Sequence, residues 1–245
     1  MDLRRFIKST IIDARKFFRM FRNLDREAIA AHYLKGDGIE IGALHNPLKL
    51  PRGAHARYVD RMSREDLRRQ YPELASRDLV PVDIIDDGER LSKIADGSQD
   101  FVVANHFLEH CENPLQTLTE LVRVLGPGGI LFMCVPDKRY TFDAPRSVTP
   151  FDHIEQDLRE GPAWYRTKHF KDWVEHVEHI ADPAGIAKRT DELIAQNYSI
   201  HYHVWTLEDL VDLVRRAPQV LNLSYNIECI QMGEGEVVLV LRKPV

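Results

Sequence analysis

Gly38-Ile39-Glu40-Ile41-Gly42-Ala43-Leu44-His45 is an apolar run closed by an acid and a glycine, and Tyr58-Val59-Asp60 is a second apolar run closed by an acid. Asp60 stands eighteen residues beyond Gly42. In a doubly wound α/β sheet this spacing places a tight strand-to-helix turn at Gly42, beside a carboxylate able to take both hydroxyls of a ribose. The pair therefore predicts a nucleoside site at the carboxyl ends of the first two strands.

The surrounding pattern agrees with such a sheet. Short Val- and Ile-rich runs at 38–42, 56–60, 79–84, 100–105 and 129–135 read as strands. Pro114 to Leu125 has helical spacing, and Gly126-Pro127-Gly128-Gly129 stops it and turns into the next strand. Thr206 to Arg216 reads as a helix, and Asn226–Gln231 with Val237–Arg242 as two closing antiparallel strands around a turn at Met232 to Glu236. The expectation is a doubly wound, mostly parallel sheet of seven strands with helices on both faces.

With 245 residues, 44% apolar and 29% charged, the chain has the make-up of one globular α/β domain with insertions. Its net charge of −5 gives no general attraction to nucleic acid. Three scattered cysteines, none in a CxxC spacing, read as reduced thiols of a cytoplasmic protein. No apolar run approaches the roughly 18 residues of a membrane span, and no signal peptide is evident.

Residues 3–26 read as an amphipathic helix, with Leu3, Phe6, Ile7, Ile11, Phe17, Phe18 and Phe21 opposite a row of Arg and Lys. Such a helix suits packing on its own domain, packing in a homodimer, or peripheral contact with an anionic inner membrane surface. The organisation expected is an N-terminal helix over 1–30, a cofactor-binding core over 31–136, an inserted lid over 137–205 and the rest of the sheet over 206–245. The lid stretch holds six of the eleven histidines and all three tryptophans, and it interrupts the strand–helix rhythm.

A nicotinamide dinucleotide calls for Gly-x-Gly-x-x-Gly, and Leu44 and His45 stand in the way of it here. A ligand with a ribose and no phosphate needs less clearance. The run Asp100 to Asn105, then His106-Phe107-Leu108-Glu109-His110, Pro114 and Leu121-Val-Arg123-Val-Leu125-Gly-Pro-Gly-Gly129, resembles the signature of class I S-adenosylmethionine-dependent methyltransferases of the ubiquinone-biosynthesis type. The resemblance spans Glu40 to Pro136 and implies S-adenosylmethionine as cofactor. It assigns Gly42 and Ala43 to the turn at the methionine part, Glu40 to the cofactor's amino group or its water shell, Asp60 to the ribose, Asp83 to the adenine with Asp86 and Asp87 beside it as alternatives, and Asn105 and His106 to the neighbourhood of the sulfonium. His106-x-x-Glu109-His110 also matches the inverted zinc-peptidase pattern, but it follows a strand run directly and precedes Pro114, which argues for a loop.

Within the lid, Pro136-Asp137-Lys138-Arg139-Tyr140-Thr141-Phe142-Asp143, Arg146, His153, Asp157, His169-Phe170, Trp173 and Ile200-His201-Tyr202-His203-Val204-Trp205 are similar to bacterial methyltransferases of surface polysaccharide and glycolipid synthesis. That similarity implies O-methylation of a sugar hydroxyl in a saccharide or glycolipid precursor. A hydroxyl is barely ionised near neutrality, so its attack on a methyl group needs a base, and His is the usual one. His153 is the first candidate, in a loop before a helix; His201 and His203 come next. If 201–203 were a strand, both imidazoles would face one way. Trp164, Tyr165, Trp173, Tyr202 and Trp205 are candidate sugar platforms, with Arg146 for hydroxyls. Asp137, Asp143, His153 and His169 mix oxygen and nitrogen donors suited to a divalent cation such as Mg²⁺. The rival readings are methyl transfer to carbon, nitrogen or a phosphate oxygen, and a non-catalytic cofactor-binding partner in polysaccharide assembly.

Overall fold

The computed structural model describes residues 25–74 and 76–245. The helix expected over 3–26 thus lies outside the described residues except for its last two. A seven-stranded sheet runs through the molecule in the order β3-β2-β1-β4-β5-β7-β6. Its strands are β1 (Gly36–Ile41), β2 (Ala54–Asp60), β3 (Ile84–Ile85), β4 (Gln99–Asn105), β5 (Leu125–Pro136), β6 (Asn226–Met232) and β7 (Glu236–Arg242). All neighbours are parallel except β7, which is antiparallel to both β5 and β6. This is the expected doubly wound α/β architecture, with the two closing strands joined by the expected tight turn.

Period-two alternation sorts the central strands onto two cores. Ile39, Ile41, Val102, Ala104, Leu131, Met133 and Val135 face one side, under helices α3 (Pro114–Arg123) and α7 (Leu207–Leu221). Phe101, Val103, Ile130, Phe132, Val238 and Val240 face the other, under α1 (Arg26–Tyr33). α1, α3 and α7 begin where the sequence supplies a side-chain acceptor for their free amides. Asn113 caps α3, with Pro114 at its first position, and Thr206 and Asp209 form a reciprocal capping box on α7.

Two expectations need correction here. No helix follows the Gly42 turn: residues 42–53 cross from β1 to β2 as a loop. Pro47 and Pro51 each remove an amide donor, and Leu44 adopts a left-handed φ of 50°, so a helix has no run in which to form. The strand expected over 79–84 is reduced to the pair Ile84–Ile85. Before it the chain is extended alongside the 42–53 loop, with the Val80 amide donating to the Leu44 carbonyl at 2.8 Å.

Between β5 and α7 the chain leaves the sheet and forms α4 (Phe151–Glu160), α5 (Arg166–His176) and α6 (Pro183–Ala195). α5 and α6 share a small core of their own, built from Phe170, Val174, Leu193, Ile200 and Tyr202. The two ends of this excursion meet at one point. Asp137 and Trp205 pair as an isolated parallel bridge, and the Lys138 amide donates to the Trp205 carbonyl at 2.9 Å. Among the described residues, no helix is long and apolar enough to cross a membrane.

Candidate active site

A cleft of about 350 Å³ opens at the carboxyl edge of β1, β2 and β4. Ile41, Gly42 and Leu44 form its floor, Asp60, Arg61 and Tyr71 one wall, Asp87, Gly88 and Glu89 another, and His106, Phe107, His110 and Ser199 the lid side. Its size and mixed lining suit a nucleoside-sized ligand. Gly42 has φ +64°, and a Cβ placed there would meet nothing within 4 Å, so its missing side chain leaves open room. Asp60 accepts the Arg61 amide through Oδ1 at 2.7 Å, which holds the carboxylate against that wall. Burial raises its pKa. At the end of β4, both amide atoms of the Asn105 side chain are buried with no hydrogen-bond partner. Open space at Gly42 and the carboxylate of Asp60 on the wall fit an adenosyl ligand without a pyrophosphate, while Asn105 stays outside the lining.

Not every expected residue reaches the cleft. Asp83 is corrected: it precedes β3, and its Oδ2 accepts the Tyr58 amide at 2.8 Å. Because β3 starts only at Ile84, it is Asp87, beyond the strand's carboxyl end, that enters the lining. Glu40 is 1% exposed and does not line the cleft. Its Oε1 accepts the Leu48 amide at 2.8 Å, so it fastens the loop that stands in place of a helix. Burial pushes its carboxyl up to about 7. Ala43 lies between two lining residues. His106 sits in a loop with a left-handed φ of 49°, which leaves no helix for a peptidase motif. Its Nε2 lies 2.7 Å from Glu236 Oε2. That pairing raises the His106 pKa, and it holds Glu236 below its ordinary value against the opposing effect of burial.

The lid places two histidine clusters. In the first, next to the cleft, His201 Nδ1 is 2.7 Å from Asp143 Oδ2, and Asp143 Oδ1 accepts from buried Arg146 at 2.8 Å. Burial alone would raise Asp143, but hydrogen bonds from His201 and Arg146 outweigh it and hold the carboxyl low. The His201 ring packs edge-on against His110 of the cleft lining at 4.6 Å between centroids, and against Phe142 at 4.9 Å. Glu109 is buried with neither carboxylate oxygen hydrogen-bonded, and burial raises its pKa. Burial also lowers His110 to about 3.

The second cluster brings together His153, His169 and His203, with Asp157 beside them. This corrects two expectations about the base. His153 is not in a loop but in the first turn of α4, its Nε2 is 3.2 Å from His169 Nε2, and it does not line the cleft. His201 and His203 are not on a strand, and each joins a different cluster, so they form no common wall. The four residues expected to share a cation also separate. Asp137 holds Arg139 and caps α7 through the Leu207 amide, Asp143 holds His201, and only His153 and His169 meet.

Tyr202 and Trp205 are core residues rather than sugar platforms, and buried Arg146 braces Asp143 and Asp172. The exposed rings are Tyr140 at 65% and Phe142 at 53%. Asp87 is one of the three neighbouring acids among which the sequence offers Asp83 first, and it is the one that reaches the lining. Sequence reasoning passed over the Asp143–His201 pair, which gives no local signal because its members are 58 residues apart.

Comparison with known proteins fits this geometry. Residues 41–133 match the family described as a methyltransferase domain. No curated protein matches the chain. Among solved structures, the chain is similar to a protein from Rhodobacter sphaeroides titled a putative Zn-dependent alcohol dehydrogenase, with a TM-score of 0.56, 19% identity and coverage of 91% of this chain and 92% of that one. It is also similar to a methyltransferase from Thermotoga maritima titled a possible histamine N-methyltransferase, with a TM-score of 0.45, 17% identity and coverage of 95% and 96%. The first of these likenesses speaks to the fold alone. The sheet order, the cleft at its carboxyl edge and the family match agree: the matched stretch, residues 41–133, is a class I S-adenosylmethionine-dependent methyltransferase domain.

Proposed function

We propose that this methyltransferase acts on a hydroxyl of a sugar, in a saccharide or glycolipid precursor, with His201 as the general base. The observation that carries the reading is the Asp143–His201 pair beside the cleft. Bound S-adenosylmethionine supplies an electrophilic methyl group on a sulfonium. Asp60 holds the ribose end, and Gly42 leaves room for the methionine end.

With Nδ1–H donated to Asp143, the His201 ring presents the Nε2 lone pair to an incoming hydroxyl. Asp143, braced by Arg146, keeps that tautomer and stabilises the imidazolium formed as the proton arrives. His110 and Phe142 pack on His201 and fix its plane. Exposed Tyr140 and Phe142 offer apolar faces for a sugar ring at the lid edge. The remaining advantage comes from holding oxygen, methyl and sulfur in line.

The test is incubation with a labelled methyl donor and a panel of mono- and disaccharides and glycolipid precursors. Transfer of label to a saccharide, abolished in His201→Ala, is the expected result. Cofactor binding by calorimetry with no saccharide labelled, and label appearing on an amine or phosphate instead, overturns the sugar assignment.

A further inference from the structure

The second histidine cluster has no part in the proposed methyl transfer, and three of its buried polar atoms are left without hydrogen-bond partners. His203 is 1% exposed, and neither ring nitrogen has a hydrogen bond. Asp157 is equally buried, and its Oδ2 has none. A buried polar group left unpaired opposes folding, so two side by side call for an explanation.

We infer that His153, His169 and His203 form a three-histidine site for a transition-metal dication of the zinc class. Their donor atoms all lie within 4.8 Å of one another, and His153 Nε2 is 3.2 Å from His169 Nε2. Tetrahedral zinc with bonds of about 2.0–2.2 Å requires ligand–ligand edges of about 3.4 Å, so small turns of the rings bring the three nitrogens onto one ion and leave a fourth position for water. Asp157 adds a negative charge beside them, its Oδ2 3.5 Å from His153 Nε2 and 3.8 Å from His203 Nε2. Three imidazole nitrogens suit zinc, cobalt or nickel, whereas Mg²⁺ prefers an all-oxygen octahedron.

The supporting shell is also present. His153 and Asp157 lie one turn apart on α4, which puts them on one face. Trp164 Nε1 donates to Asp157 Oδ1 at 2.8 Å, which orients the carboxylate so that Oδ2 faces the histidines. His169 comes from α5, and His203 from the stretch that leads back to the sheet. A metal here ties three separate segments of the lid together. The other candidate cluster, Glu109, His110 and His201, is less free: His201 is bound to Asp143, and His110 Nδ1 lies 2.9 Å from the Ile200 carbonyl oxygen.

The test uses the full chain, stripped with chelator and titrated with Co²⁺. The expected result is one equivalent bound, with the strong visible absorption of four-coordinate cobalt, bleached by Zn²⁺, and a Tm that rises with Zn²⁺. His169→Ala and His203→Ala should each abolish the band, while His179→Ala, an exposed histidine of the same lid, should leave it intact. A chain that gives no four-coordinate band, or binds equally well in His169→Ala and His203→Ala, overturns the assignment. None of these readouts depends on methyl transfer, so their failure is separate from failure of the proposed activity.

Discussion

Glu40 at the end of the first strand and Leu48 in the following loop are joined by a 2.8 Å hydrogen bond from the Leu48 amide to Oε1, while Oε2 stays buried and unpaired. The carboxyl therefore works beneath the cofactor cleft, holding its floor in shape. This relation has a consequence for pH. Burial lifts Glu40 from an ordinary 4.5 to about 7, so between those values the folded chain binds a proton that the unfolded chain has released. Stability must fall as pH rises through that window, by roughly 3 kcal/mol, and then level off. Glu40→Gln keeps the oxygen that accepts from Leu48 and removes the ionisation. Urea unfolding at pH 5.5 and pH 8 should show a smaller pH difference in the variant than in the unsubstituted chain.

Asp60→Ala removes the carboxylate on the cleft wall and leaves the sheet intact. A charged hydrogen bond contributes about 1.5–3 kcal/mol, so the Kd for S-adenosylmethionine should rise by roughly 10–100-fold in calorimetry. Circular dichroism should be unchanged. Equal affinity in the variant would place the ribose elsewhere.

His201→Ala should reduce the methylation rate by about 10²–10⁴-fold while the cofactor Kd stays where it was. Asp143→Asn keeps the shape of the pair and removes the negative charge that stabilises the imidazolium, so it should also lower kcat, with cofactor affinity again unchanged. His153→Ala should leave intact the proton transfer to His201, as its ring lies in the other cluster. A loss in kcat for His153→Ala in metal-loaded protein equal to that for His201→Ala would count against this division of roles.

The His106–Glu236 pair predicts a second pH dependence. His106 is raised, so its share of stability is complete below the ordinary 6.5 and fades as pH rises through its higher folded value. Glu236 is lowered, so its share is complete above the ordinary 4.5 and fades as pH falls through its lower folded value. The pair is therefore fully effective between about pH 4.5 and 6.5. Glu236→Gln should lower Tm most near pH 5.5 and progressively less toward pH 9. A constant Tm difference across that range would show that the ion pair contributes nothing.

Much of the core was legible because strands end where their apolar runs end. Gly42, Asp60 and His106 could be placed at the cleft from that rule alone. Asp83 could not, because the length of β3 depends on how far β2 offers it a partner, which is a tertiary matter. The missing helix after Gly42 had a visible cause in Pro47 and Pro51, but the glycine turn suggested the commoner arrangement. The lid was legible as a region and opaque as a site. His201 finds its carboxylate 58 residues earlier and His203 finds its imidazoles 34 and 50 residues earlier, and no local periodicity encodes such meetings.

The bridge between Asp137 and Trp205 gives the protein a modular seam. The polypeptide departs from the sheet and rejoins it at neighbouring points, so the order of the strands is independent of the length of chain between them, while Phe151 and Ile154 root that excursion in the main core.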